Sequence, residues 1–288
     1  MSELCVGHSQ SVASSAMSNT CQLETIPGLL KELFIALFIA LACAPAARAA
    51  TCPRKGTLGT SRVMKVDAVS FPRVGLKEFR HTLPLRDHEV VLTFDDGPWP
   101  PTTPKVLKAL AKQCVLATFF LIGKPALQHP TLVRRIAAEG HSIGYHTWAH
   151  FDLSHMPQSN AFRAIDDGIA AVEWALHGNA TTTPNTPFFR FPGFLSTPAI
   201  LDMLRSRGIV VFGADLWAND WDPLTPKAEF RLLTWRLRVA RKGIILLHDS
   251  EHRTAVILPA FLRYLRDHHY HVVHVVPTGP AVDFDGVP

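Results

Sequence analysis

None of the five cysteines in this 288-residue sequence forms a Cys-x-x-Cys pair, which removes the support for a cysteine zinc site. No run of five or more Lys/Arg occurs either. The basic residues are scattered and the net charge is +5, so nucleic acid is not expected as a partner. An apolar run of the ~20 residues that a membrane span needs is also missing: Leu33–Ala44 stops at twelve. No repeat or low-complexity linker interrupts the chain after residue 88, and 89–288 reads as one domain.

What is present begins with an export pattern. Leu33–Ala44 follows Lys31 and precedes Ala47-Arg48-Ala49, an A-x-A cleavage pattern, so residues 1–49 are expected to be a leader carrying a signal peptide. The expected destination is the periplasm or the exterior. Glu24 and Glu32 weaken the positive flank, and an uncleaved inner-membrane anchor is the rival reading, with membrane contact through the leader alone. In an oxidising compartment Cys52 and Cys114 are a candidate disulfide. Residues 50–88 hold Pro and Gly breakers without an amphipathic period, and read as an N-terminal arm or a pair of short strands packed on the domain.

From residue 89 the pattern becomes regular. Strand-like runs at 89–94, 116–121, 141–145, 187–191, 209–214, 243–247 and 271–276 alternate with helical stretches near 103–113, 130–139, 158–177, 197–207, 227–241 and 254–268. That alternation predicts a parallel α/β architecture of about seven strands, either a distorted, partly open barrel or a doubly wound sheet.

Two stretches carry chemistry. Val90-Val91-Leu92-Thr93-Phe94 runs into Asp95-Asp96-Gly97-Pro98, placing two carboxylates where a strand meets its loop. His146 and His150 are spaced i, i+4, which on a helical turn puts both imidazoles on one face. With an acid such as Asp96 they would make a His₂–carboxylate set for a divalent metal, leaving positions open for water and substrate.

Thr93-Phe94-Asp95-Asp96-Gly97-Pro98 and His146-Thr147-Trp148-Ala149-His150 resemble the first two motifs of the NodB-type polysaccharide deacetylases, carbohydrate esterase family 4. Arg190-Phe191-Pro192-Gly193-Phe194, Asp220-Trp221 and Leu246-Leu247-His248-Asp249 resemble its later motifs, in the same order, over roughly residues 88–276. The resemblance implies a NodB homology domain that removes N-acetyl groups from an N-acetylglucosamine polysaccharide or chitooligosaccharide. It implies Asp95 as general base, His248 as general acid, and Arg190 and Asp220 as their holders. Asp96, His146 and His150 would be the metal ligands. Zinc is the first expectation, with Co²⁺ or another divalent ion as alternatives. Gly193 would offer a backbone N–H to the oxyanion, while Trp221 and Leu246 would wall the acetyl pocket. Gly193-Phe194 stands where the family shows Tyr-Gly, and Phe194 is expected to reshape that loop. Two other readings stay open, an O-acetyl esterase on xylan or another acetylated polymer and a non-catalytic envelope carbohydrate-binding protein. Retention of both Asp95 and His248 weighs against the second, since a binder needs neither.

Overall fold

Strand β3 (Glu89–Asp95) is the hub of the sheet, and its sequence explains why. Alternate side chains on a strand face opposite sides. Val90, Leu92 and Phe94 join the core beneath the helices, whereas Val91 joins a second core inside the sheet's curve. The computed structural model describes residues 55–278, so the expected leader and Cys52 lie outside the described residues.

Among the described residues ten strands form one sheet, and every pairing in it is parallel. Besides β3 they are β1 (Thr60–Val66), β2 (Arg73–Val74), β4 (Thr118–Leu121), β5 (Ser142–Tyr145), β6 (Phe188–Phe189), β7 (Val210–Phe212), β8 (Leu216–Trp217), β9 (Gly243–His248) and β10 (His271–Pro277). The main path runs β1-β10-β3-β4-β5-β6-β7-β2, and β9 pairs β3 on one side and β8 on the other. No ladder joins β8 to β2 or β7 among the described residues, so the barrel is open there. The expected α/β, partly open barrel is the fold observed.

Seven α-helices cover the described sheet: α1 (Thr103–Gln113), α2 (Gly123–Gln128), α3 (Pro130–Ala138), α4 (Gln158–His177), α5 (Pro198–Ser206), α6 (Pro226–Ala240) and α7 (His252–Asp267). Proline opens α1, α3, α5 and α6, where its missing N–H costs nothing and its φ is already helical. Thr197 and Thr225 cap α5 and α6 by accepting the backbone N–H of Ile200 and Ala228. No described helix is long and apolar enough to cross a membrane. Cys114, left-handed at the end of α1, is disulfide-bonded, while the Cys52 pairing lies outside the described residues.

Of the two readings for residues 50–88, the pair of strands is the one observed: β1 pairs β10 and β2 pairs β7, at the two ends of the sheet's main path. Helix α2 and strand β8 were not expected, being too short to show a period. His274 is buried on β10, where its Nε2 meets Ser142 Oγ at 2.9 Å.

Candidate active site

Period-2 alternation aims the functional groups inward. Val91, Thr93 and Asp95 share the concave side of β3, as Ile244, Leu246 and His248 do on β9. Phe120, Phe188, Val210 and Phe212 fill the interior below with the valines and isoleucine. The polar groups therefore collect at the C-terminal ends of the strands, around a hollow of about 430 Å³.

Arg190, fully buried just past β6, organises one wall. Its Nη1 donates to Asp95 Oδ1 at 2.7 Å and to Thr93 Oγ1 at 2.8 Å. Nε and Nη2 donate to the carbonyls of Phe212 (3.2 Å) and Gly213 (2.8 Å), and the guanidinium lies 4.3 Å from the Phe120 ring centroid. A buried cation is tolerated only when paired and hydrogen-bonded in this way. Asp95 is thus fixed on one oxygen, and its other oxygen stands 3.9 Å from His146 Nε2.

The expected metal set comes together, though not on a helical turn. His146 follows β5 directly, and the chain reverses through left-handed Thr147 (φ 66°) and His150 (φ 58°). This turn, rather than an i, i+4 helical face, brings the imidazole centroids within 5.0 Å. Asp96 is likewise left-handed (φ 75°), which swings its carboxylate toward the histidines instead of away from them. Asp96 Oδ1 lies 3.5 Å from Nε2 of both His146 and His150, and the ligand atoms of the three residues are all within 4.8 Å of one another.

Two observations test whether a divalent metal fits. Asp96 Oδ1 is buried with no hydrogen-bond partner, an orphan that a cation would satisfy. His146 Nδ1 donates to the Arg190 carbonyl at 2.8 Å, which leaves the Nε2 lone pair facing Asp96. Burial also pushes the His146 pKa down, keeping the ring neutral as a ligand must be. The donor set fits a metal.

Across the hollow, His248 Nδ1 donates to Asp220 Oδ1 at 2.8 Å. Asp220 is fully buried, and its Oδ2 accepts from the His248 backbone N–H and the Thr254 hydroxyl, both at 2.6 Å. Burial by itself would lower the His248 pKa. The charge and hydrogen bond of Asp220 outweigh it and hold the imidazole up at about 10. Trp221 stands edge-on to His248, with centroids 5.4 Å apart, and lines the hollow with Leu246 and Gly193. Gly193 and Phe194 both have left-handed φ (58° and 62°), so the departure from Tyr-Gly does set a non-glycine residue in a glycine-favoured conformation.

Asp249 stands in the last motif, where the sequence assigns it no role. Its carboxylate accepts from the Gly97 N–H at 3.1 Å and from the Thr103 hydroxyl, and its own N–H donates to the Asp95 carbonyl. It therefore ties β9 to the Asp95-Asp96-Gly97 bend, and burial pushes its carboxyl up to about 7. A Cβ on Gly97 would lie 2.2 Å from Asp249 Oδ2, which explains the glycine. An acid directly after a motif histidine was the available sequence signal.

A polysaccharide deacetylase family profile matches residues 83–212. The chain is 33% identical over 161 residues to a chitooligosaccharide deacetylase of Sinorhizobium fredii, covering 56% of this chain and 72% of that protein. It is 31% identical over 201 residues to a peptidoglycan-N-acetylglucosamine deacetylase of Bacillus cereus, covering 67% and 89%. Among solved structures, a peptidoglycan deacetylase of Bdellovibrio bacteriovorus superposes with a TM-score of 0.68 at 25% identity, over 90% of this chain and 73% of that one.

Proposed function

The chain belongs to the polysaccharide deacetylase family, hydrolases of carbon–nitrogen bonds other than peptide bonds, and from that premise we propose an exported, metal-dependent N-deacetylase. Its substrate would be an N-acetylglucosamine polysaccharide or oligosaccharide. The observation that carries the reading is one hollow holding Asp96, His146 and His150 beside an anchored Asp95, with the Asp220–His248 pair opposite.

A divalent ion held by Asp96, His146 and His150 would supply Lewis-acid polarisation of the acetyl carbonyl and a more acidic water. Asp95, with one oxygen bound to Arg190, accepts the water proton on the other. Arg190 keeps that carboxylate from rotating out of line. As negative charge develops on the carbonyl oxygen, the backbone N–H near Gly193 would donate a hydrogen bond to it. His248 holds its proton well above neutrality and delivers it to the departing sugar amine, with Asp220 stabilising the imidazolium. Trp221 and Leu246 form the apolar side of the hollow, where the acetyl methyl would sit.

The test is acetate release by the purified full chain. It is offered N-acetylchitooligosaccharide, peptidoglycan and acetylated xylan, first metal-stripped and then with zinc restored. Acetate from an N-acetylated substrate that depends on the metal supports the proposal. Acetate from xylan alone would move the assignment to an O-acetyl esterase. Full activity after verified metal removal would sink the metal-dependent mechanism. Export is tested separately, by fractionating cells and sequencing the mature N-terminus.

A further inference from the structure

The hollow has one lining cation that the deacetylation scheme leaves without a task. Among the described lining residues Lys77 is the one Lys or Arg; the other charged side chains there are Asp95, Asp96 and Glu251, besides the histidines. Lys77 precedes the family-matching stretch, on the turn that follows β2.

That turn is built to hold it. Lys77 N–H donates to the Ala214 carbonyl at 2.7 Å, and Leu76 N–H to Asp215 Oδ1 at 2.8 Å, across the opening between β2 and β8. Gly75 (φ 110°) comes so close to Gly213 that an added Cβ would sit 2.5 Å from its backbone, so the two segments approach at glycine spacing. The ammonium lies 4.6 Å from the Trp217 ring centroid. Arg236 lies 4.7 Å from the same ring and bonds through Nη1 to Trp217 O and Asn219 Oδ1. Lys77 Nζ has no acceptor among the described residues, so its three N–H groups remain for a ligand. Trp221, about half exposed, offers an indole face for a sugar ring in the same hollow.

We propose that Lys77 is a specificity residue that pairs with a carboxylate on the sugar next to the one being deacetylated, so that the enzyme prefers an acidic amino-sugar polymer to a neutral one. This rests on the deacetylase reading above. An ammonium beside an indole suits a sugar that is apolar on its ring face and anionic on its substituent.

The test compares three probes on the full-length, zinc-loaded protein. They are N-acetylchitohexaose, an alternating N-acetylglucosamine–N-acetylmuramic acid oligomer, and the same oligomer with its carboxylates methyl-esterified. The wild type should favour the free acid over its ester about tenfold in kcat/KM, through KM, the factor that ~1.4 kcal/mol of differential binding gives. Lys77→Met should erase that ratio and leave chitohexaose turnover within about twofold. Lys77→Arg should retain the ratio. Calorimetry of both oligomers on the metal-stripped protein should show the same preference in binding. Equal rates on acid and ester in the wild type, or a Lys77→Met loss shared by all three probes, would overturn the proposal. Absence of acetate from every probe would instead remove the deacetylase reading beneath it.

Discussion

Replacing Asp220 with Asn keeps the shape of the buried side chain and removes its charge. In the native protein His248 is held protonated up to about pH 10 because Asp220 overcomes the depressing effect of burial. Without the charge, burial is opposed only by the carboxylates of Asp96 and Asp95, and the pKa falls toward the ordinary value of about 6.5. A shift of ~3.5 units corresponds to about 5 kcal/mol of lost preference for the protonated ring, an upper bound for a buried pair. A general acid works below its pKa, so activity is lost as pH rises through about 10 in the wild type and through a value near ~6.5 in Asp220→Asn. At pH 8 the variant should lose about thirtyfold in kcat/KM, with part of the rate recovered toward pH 6. Asn has one oxygen, so its NH₂ faces either His248 Nδ1–H or the His248 N–H and Thr254 hydroxyl together in place of an acceptor, at about 1–3 kcal/mol. Melting temperature must therefore be followed in parallel. The assay is a pH–rate profile of acetate release from pH 5.5 to 10.5. A uniform loss with an unmoved basic limb would refute the reasoning and leave Asp220 a structural residue.

Three further outcomes are expected. Asp96→Asn should weaken zinc binding by at least about 100-fold in calorimetry without lowering the melting temperature of the metal-free protein, because its Oδ1 has no protein partner to lose; unchanged zinc affinity would place the metal elsewhere. Gly97→Ala drives a Cβ against Asp249 and should cost about 3 kcal/mol in urea titration, and an unmoved midpoint would mean that the contact yields. His274, buried and lowered to about 4, binds its proton less readily folded than unfolded, so the stability it contributes is lost as pH falls from about 6.5 toward 4. Between pH 7 and 4.5 the wild type should therefore lose ~2–3 kcal/mol more than His274→Gln, and equal losses would show that the ring does not titrate there.

The barrel was readable in sequence because its long elements repeat with clean periods. The seven expected runs at 89–94, 116–121, 141–145, 187–191, 209–214, 243–247 and 271–276 each overlap an observed strand. Strands β2, β6 and β8, two residues apiece, are defined by their neighbours' ladders, and no local pattern marks their ends. Site residues were legible as residue types at fixed spacing, and Asp95, Asp96, His146, His150, Arg190, Asp220 and His248 do gather around one hollow. Their backbone was not legible. Left-handed Asp96, Thr147 and His150 are forced by tertiary packing against local preference. Lys77 reaches the site through seam contacts that no short motif encodes, and Asp249 through a contact 152 residues apart that only its place after His248 signals.

Arg190 reaches both halves of the centre from a single residue, its side chain on Asp95 and its carbonyl on the His146 ring. A displacement of this segment should carry Asp95 and the His146 ring, the proposed base and ligand, in the same direction, so that their separation would fluctuate less than the position of either. Crystallographic ensembles should show correlated motion of Asp95 and His146, with His248, anchored on Asp220 and α7 through Thr254, moving independently. Breathing of the hollow would then open the gap between the proton donor and the metal side while leaving the nucleophile's alignment intact. For anyone grafting this chemistry onto another scaffold, Arg190 and its backbone are one part, to be transplanted whole.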